Sequence, residues 1–422
     1  KHLVVKKIGI LTSGGDCAGL NAVIRAVTLR ATSEYGWKVY GLKDGTLGLM
    51  KDPIDVVELK PEHFDGNLMR MGGTFLGSNN KGNPFGIIKK DGKKIEVSEL
   101  IISSFKKLGL DALIGIGGDG SLKILQSLTK KGNINFIGIP KTIDNDLVTT
   151  DHCPGYGSVV KYVSTIVRET ALDHEAMGQH DLVSIVEVMG RNAGWIAAGT
   201  TLAKRKDNPD DAPHLIYLPE LSFSKERFLD DVQRVLKKNR YCLVVVGEGL
   251  IDKDGNYVAN STNSQDAFGH QQLGGIGDFL ANYIESNLAV KARSSKLGTG
   301  QRAATHCSSK TDNDEAFMAG QAAVRAAVEG ETDKMVILVR SEGDTYECET
   351  GLAPLSEIAN GVKEIPSDWI AEDGVSMTAK FIKYCQPLIQ GEVEVPYDNG
   401  LPAYVRLSKR RIRKVLDSYS FE

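Results

Sequence analysis

The chain has 422 residues, 41% of them apolar and 25% charged, with a formal net charge of −3. That length predicts two cores rather than one, and that composition is of a water-soluble globular protein. Near-neutral charge gives no electrostatic footprint for nucleic acid, and the one basic cluster, Lys409 to Lys414, reads as an exposed helix face. Six scattered cysteines with no CxxC pair read as reduced thiols, without a disulfide framework or a zinc site. No apolar run reaches membrane-spanning length and no signal-like segment precedes the first strand, so a cytoplasmic protein is expected.

In chain order, residues 6–12 predict a strand, Ser13-Gly14-Gly15-Asp16 a turn, and 19–30 a helix with Leu20, Ile24 and Val27 on its sheet face. Backbone N–H groups at such a turn can cradle a phosphate, because the helix N-terminus adds a positive partial charge. Val39–Leu42 predicts a strand, 51–68 an irregular stretch, and 72–84 a second glycine-rich loop. Ala112–Ile116 is a short apolar run that stops at Gly117-Gly118-Asp119-Gly120-Ser121, and Leu122, Leu125 and Leu128 continue it as a helix. Phe136–Ile139 predicts the next strand, and the loop after it, Lys141-Thr142-Ile143-Asp144-Asn145-Asp146, packs two carboxylates, a lysine and a hydroxyl into six positions. In a parallel βαβ unit both loops leave from the carboxyl edge of the sheet, where α/β ligands bind. Together they describe a phosphate and metal site.

Gly115-x-Gly117-x-x-Gly120 satisfies the dinucleotide fingerprint only formally, because the next strand ends in Pro140-Lys141 rather than an acid for the ribose. Asp119 inside the loop would repel a bare pyrophosphate unless magnesium sat between them. No GxxxxGK[ST] is present.

Further on, 159–172 predicts a helix, Val183–Val188 a strand, and Met189-Gly190-Arg191 a turn that opens a helix through Ala203. Strands are expected at 214–219 and 241–247, with an amphipathic helix at Lys225–Lys238 between them. Glu248 ends the second of these strands. Helices at 277–287 and 317–329 and a strand at 334–339 complete the pattern, and Pro366–Trp369 marks a helix start.

Gly-Gly-Asp-Gly-Ser followed by Pro-Lys-Thr-Ile-Asp-Asn-Asp, with Thr12–Asn21, Gly72–Ser78 and Val186–Arg191 in the same order, resembles the phosphofructokinase family over about residues 7 to 330. The resemblance implies two Rossmann-like three-layer α/β/α domains with mainly parallel sheets and the active site in the cleft between them. It divides the chain into 1–155 plus 301–350 for the phosphoryl donor, 156–300 for the sugar phosphate, and an extension, 351–422, packed on the body. The implied reaction is transfer of a phosphoryl group from ATP, with Mg2+, to the 1-hydroxyl of fructose 6-phosphate. Asp144 is then the base, with Thr142, Asp146 and Arg191 in the catalytic set. The donor would meet Gly14, Lys81, Gly118, Gly120, Ser121 and Lys141, and Asp119 would hold the metal. Thr142, Asp144, Met189, Gly190, Arg191, Glu248, Arg293 and Arg302 would bind the substrate. A homodimer or homotetramer is implied, with small molecules as the only other partners.

Several positions depart from the family pattern. Met71 and Asn80 stand where arginines are usual, with Arg70 and Lys81 one step away, and Leu182 and Thr299 stand where relatives bind the 6-phosphate. Gly120 leaves room for the α-phosphate of a nucleotide, whereas Lys141 is common among pyrophosphate users. A pyrophosphate-dependent enzyme, a kinase of sedoheptulose 7-phosphate or a polyol, and a non-catalytic nucleotide-binding paralogue therefore remain open alternatives.

Overall fold

A computed structural model describes residues 6–15, 17–64, 73–79, 83–88, 92–177, 182–259, 275–358 and 361–403. The strands are β1 Lys7–Thr12, β2 Lys38–Leu42, β3 Val56–Leu59, β4 Ile87–Ile88, β5 Lys94–Ile95, β6 Ala112–Gly117, β7 Asn135–Pro140, β8 Leu182–Val188, β9 Leu215–Tyr217, β10 Tyr241–Gly247, β11 Lys291–Lys296, β12 Lys334–Arg340 and β13 Cys348–Pro354. The helices are α1 Leu20–Leu29, α2 Ser98–Lys107, α3 Asp119–Gly132, α4 Tyr156–Ala176, α5 Trp195–Gly199, α6 Lys225–Lys238, α7 Ile276–Asn287, α8 Gly300–Ala303, α9 Lys310–Val328, α10 Leu355–Ile358 and α11 Ala379–Cys385.

Two sheets carry the fold. The larger has the order β13-β12-β7-β6-β1-β2-β3, and the smaller β11-β8-β10-β9. Every pair in the smaller sheet is parallel. In the larger one only the edge strands β3 and β13 run antiparallel to their neighbours. This is the mainly parallel, helix-covered α/β architecture that the alternating strand and helix signals imply.

Side-chain alternation along each strand builds a core on both faces. Ile8, Ile10, Ile114 and Ile116 point to one side of the large sheet and join Leu20, Val23, Ile24 and Val27 of α1 and Ala316 and Ala323 of α9. Leu11, Leu113 and Phe136 point to the other, against Leu122, Leu125 and Leu128 of α3 and Ile101 and Phe105 of α2. In the small sheet Val186, Leu243 and Val245 meet α4 and α5, while Val183, Ile185, Val244 and Val246 meet Phe228 and Val232 of α6 and Leu280 and Ile284 of α7. Each such large apolar side chain contributes about 1.5–3 kcal/mol by leaving water.

Several boundaries differ from the sequence expectation for local reasons. The stretch expected to be irregular at 51–68 contains β3, held by pairing to β2 rather than by its own pattern. α9 starts seven residues before the predicted 317, because the Ser309 hydroxyl accepts the Asp312 N–H at 3.3 Å and caps it there. Pro366 leads into a short 3-10 turn, Ser367–Trp369, instead of a longer helix. No helix among the described residues is long and apolar enough to cross a membrane.

Candidate active site

The loops at the carboxyl ends of β1, β6, β7, β8 and β10 converge on one recess of about 320 Å³. Gly14, Gly118, Asp119, Gly120, Ser121, Lys141, Thr142, Asp144, Asp146, Met189, Arg191, Glu248 and Arg302 line it, all of them expected from the sequence; Gly15, Ile143 and Asn192 complete the lining.

The donor side is built by two turns in close approach. Ser13 N–H donates to the Ile116 carbonyl at 2.9 Å, tying the turn after β1 to β6. Gly14 has φ +90°, and a Cβ there would lie 2.9 Å from the Ser121 hydroxyl. Only glycine supplies both that backbone angle and that clearance. Gly118 precedes α3 in an extended conformation, so the first-turn N–H groups of Asp119, Gly120 and Ser121 lie outside the helix's own ladder at the recess. Such a terminus favours an anion. A Cβ on Gly120 would meet nothing within 4 Å.

The acidic loop after β7 alternates in burial. Thr142, Asp144 and Asp146 are half-buried and face the recess, while Ile143, Asn145 and Leu147 are buried beneath it. Lys141 N–H donates to the Gly117 carbonyl at 3.0 Å and its ammonium to the Gly15 carbonyl, tying the acidic loop to both glycine-bearing turns. The Thr142 hydroxyl accepts the Asp144 N–H at 3.1 Å. Burial raises the Asp144 carboxyl above the ordinary range, although Arg302, Arg191 and Lys141 pull it back. Burial, then the charges of Asp144 and Asp119, push Asp146 up to about 7.

Across the recess, the loops after β8 and β10 interlock. Met189 N–H donates to Gln301 Oε1 at 3.0 Å, and Gly190 takes φ +122°, where a Cβ would stand 2.8 Å from the Ala193 carbonyl. Gly194 N–H donates to both Glu220 carboxylate oxygens at 2.9 and 3.1 Å, fixing the entry into α5. A Cβ on Gly249 would fall 1.8 Å from the Arg191 carbonyl, so the strand-end glycine is what lets the Arg191 turn sit where it does. Burial, and then the Asp144 charge, raise the Glu248 carboxyl.

Arg302, on α8, reaches the recess beside Gly15, within 3.5 Å of where a Cβ there would be. Not every expected residue does. Arg293, on β11, pairs with Ser184 of β8, five residues before Met189 and so about 16 Å back along the sheet at the usual rise. Leu182 is buried at the start of β8, and Thr299 precedes α8. Lys81 lies outside the described residues. Gln301, Glu220 and Gly249 escaped the sequence reading, since each acts through a fold contact rather than a local motif.

The Phosphofructokinase family profile matches residues 7–327. The chain belongs to the phosphofructokinase family. Among curated relatives it is similar to a pyrophosphate–fructose 6-phosphate 1-phosphotransferase from Halomonas elongata, 37% identical over 420 residues, with 96% of this chain and 97% of the relative covered. It is also similar to ATP-dependent 6-phosphofructokinase 1 from Synechocystis, 41% identical over 335 residues, with 79% of this chain and 88% of the relative covered. A crystal structure of a pyrophosphate-dependent phosphofructokinase from Nitrosospira multiformis superposes with a TM-score of 0.83 at 32% identity, covering 99% and 100% of the two chains. The family fold is therefore shared almost end to end, and the acidic and glycine turns that carried the resemblance are the ones that meet in the recess.

Proposed function

We propose that this chain transfers the γ-phosphoryl group of ATP to the 1-hydroxyl of fructose 6-phosphate. Asp144 takes the hydroxyl proton as the oxygen attacks phosphorus, the new O–P bond forms, and the bridging bond to ADP breaks. Thr142 holds the backbone of Asp144 at 3.1 Å, and Arg191 with the N-terminus of α3 offsets charge on the moving group. Glu248 and Arg302 take the sugar phosphate. Asp119, Asp144 and Asp146 place three carboxylates around one recess, and burial first, then the neighbouring carboxylates, raise the Asp146 carboxyl. Such an oxygen-only donor set suits a hard divalent cation, with Asp119 as the ligand. Magnesium held there would neutralise donor phosphate charge.

The observation that carries ATP over pyrophosphate is the open space at Gly120, where pyrophosphate users of the family usually hold Asp. Lys141, whose ammonium lies in the recess, supports the second reading, pyrophosphate. So does the likeness to the near full-length pyrophosphate-using relative from Halomonas and to the pyrophosphate-dependent enzyme from Nitrosospira. In the domain division we favour, 1–155 with 301–350 binds the donor, 156–300 binds the sugar, and 351–422 packs outside. Two or four copies assemble in the cytoplasm.

Initial rates on fructose 6-phosphate with magnesium, comparing ATP and pyrophosphate at equal concentration, decide between the donors. ATP alone should sustain turnover. Turnover with pyrophosphate alone would refute the Gly120 argument and keep the site. Silence with both would move the assignment to another acceptor, consistent with Leu182 and Thr299.

A further inference from the structure

The chain beyond the family match crosses the base of the acidic loop. Asn145, between Asp144 and Asp146, is fully buried and left-handed at φ 56°. A non-glycine residue holds that conformation only where its surroundings insist on it. Its Oδ1 accepts the Cys153 N–H at 2.9 Å, which orients the amide so that Nδ2 donates to the Tyr384 hydroxyl at 2.9 Å. Tyr384 in turn donates to the Asp151 carbonyl at 2.8 Å. Its ring is locked between Trp195 and Trp369, with centroids 5.4 and 5.0 Å away. One hydroxyl thus spans both ends of the 145–151 loop.

A second tie lies beside it. Lys363 N–H donates to the Asp146 carbonyl at 2.8 Å, and its ammonium to the carbonyls of Thr150 at 2.9 Å and of Asp151. The Lys363 carbonyl accepts the Trp195 indole N–H at 2.7 Å. Two residues on, Ile365 N–H donates at 3.3 Å to Glu220, the carboxylate that also holds Gly194 at the Arg191 turn. The same segment therefore touches the supports of both catalytic loops, one on each side of the recess.

We propose that residues 362–385 form an internal strap that sets the relative position of Asp144 and Arg191, with Tyr384 and Lys363 as positioning residues. This rests on the reading that Asp144 acts in the reaction. Removing the Tyr384 hydroxyl leaves the Asn145 Nδ2 without that acceptor and the Asp151 carbonyl with the Lys363 ammonium alone, while the ring goes on filling the same space.

The test uses Tyr384→Phe in the full chain. Its kcat should fall about tenfold to hundredfold, as a misplacement near 1 Å does, with both KM values within about twofold. Amide exchange across 144–153 should rise, measured without substrate. Val27→Ala is the companion variant: Val27, on α1, is fully buried in a core cluster that holds no residue of the strap or of the acidic loop. It should lower Tm and leave kcat per folded enzyme unchanged. Unchanged kcat and exchange in Tyr384→Phe would overturn the strap, as would an equal kcat loss in Val27→Ala. Should Asp144→Asn keep its full rate, the reading of Asp144 fails by itself, and the exchange measurement on Tyr384→Phe still decides the strap.

Discussion

Titrating His152 should cost the fold about 3 kcal/mol, and the structure says where in pH that happens. The imidazole is 1% exposed, with Nδ1 2.7 Å from Asp151 and Nε2 2.5 Å from Glu315. Arg340 holds Asp151 from the far side at 3.1 Å, and Tyr346 donates to Glu315. Cys348 lies close by, but both ring nitrogens already have carboxylate partners, so the cluster is an ion-pair network. Burial alone would push the imidazole down, yet the Glu315 charge and the Asp151 hydrogen bond override it and hold the group at about 9. The ordinary value is 6.5, and a rise to 9 at 1.36 kcal/mol per pH unit is about 3 kcal/mol. Because the folded-state value is raised, this stabilisation is fully present below pH 6.5 and is lost as pH rises through 9. Urea unfolding at pH 6 and pH 9.5 measures it. Wild type should lose about 3 kcal/mol more than His152→Gln over that interval, since other titrating groups are common to both. Parallel loss in the two proteins would refute the ion-pair assignment.

Four further outcomes follow from the recess. Asp144→Asn should lower kcat by about two to four orders of magnitude while the fold survives. In wild type the rate should fall as acid protonates Asp144 and Asp146, the latter near pH 7. A variant rate equal to wild type would remove Asp144 from the chemistry. Gly120→Asp places a carboxylate near the α-phosphate; like charges about 4 Å apart repel by about 4 kcal/mol at an effective dielectric of 20. Even half of that lowers kcat/KM with ATP by more than about tenfold, and pyrophosphate turnover, if any, should be spared. Gly249→Ala forces its Cβ onto the Arg191 carbonyl and should lower kcat about a hundredfold, and an unchanged kcat would show that the turn is free to move.

The sequence by itself determined the chemistry-bearing turns. Gly117–Ser121 and Thr142–Asp146 are short, local and tied to strand ends, so hydrophobic periodicity and turn composition place them without knowledge of the fold. The same reasoning found most of the helices and strands, because their apolar spacing is a property of neighbouring residues. It could not find β3, whose strand character comes from the edge it pairs with. Nor could it show that Arg293 lies back along β11 while Arg302 reaches the recess, because spacing from a motif says nothing about which end of a strand a side chain occupies. Glu220, Gly249 and Tyr384 were invisible for one physical reason: each matters through partners far away in the chain. Tyr384 and Asn145 are 239 residues apart, and the hydrogen bond that joins them exists only once both lobes and the chain beyond them have packed around Trp195.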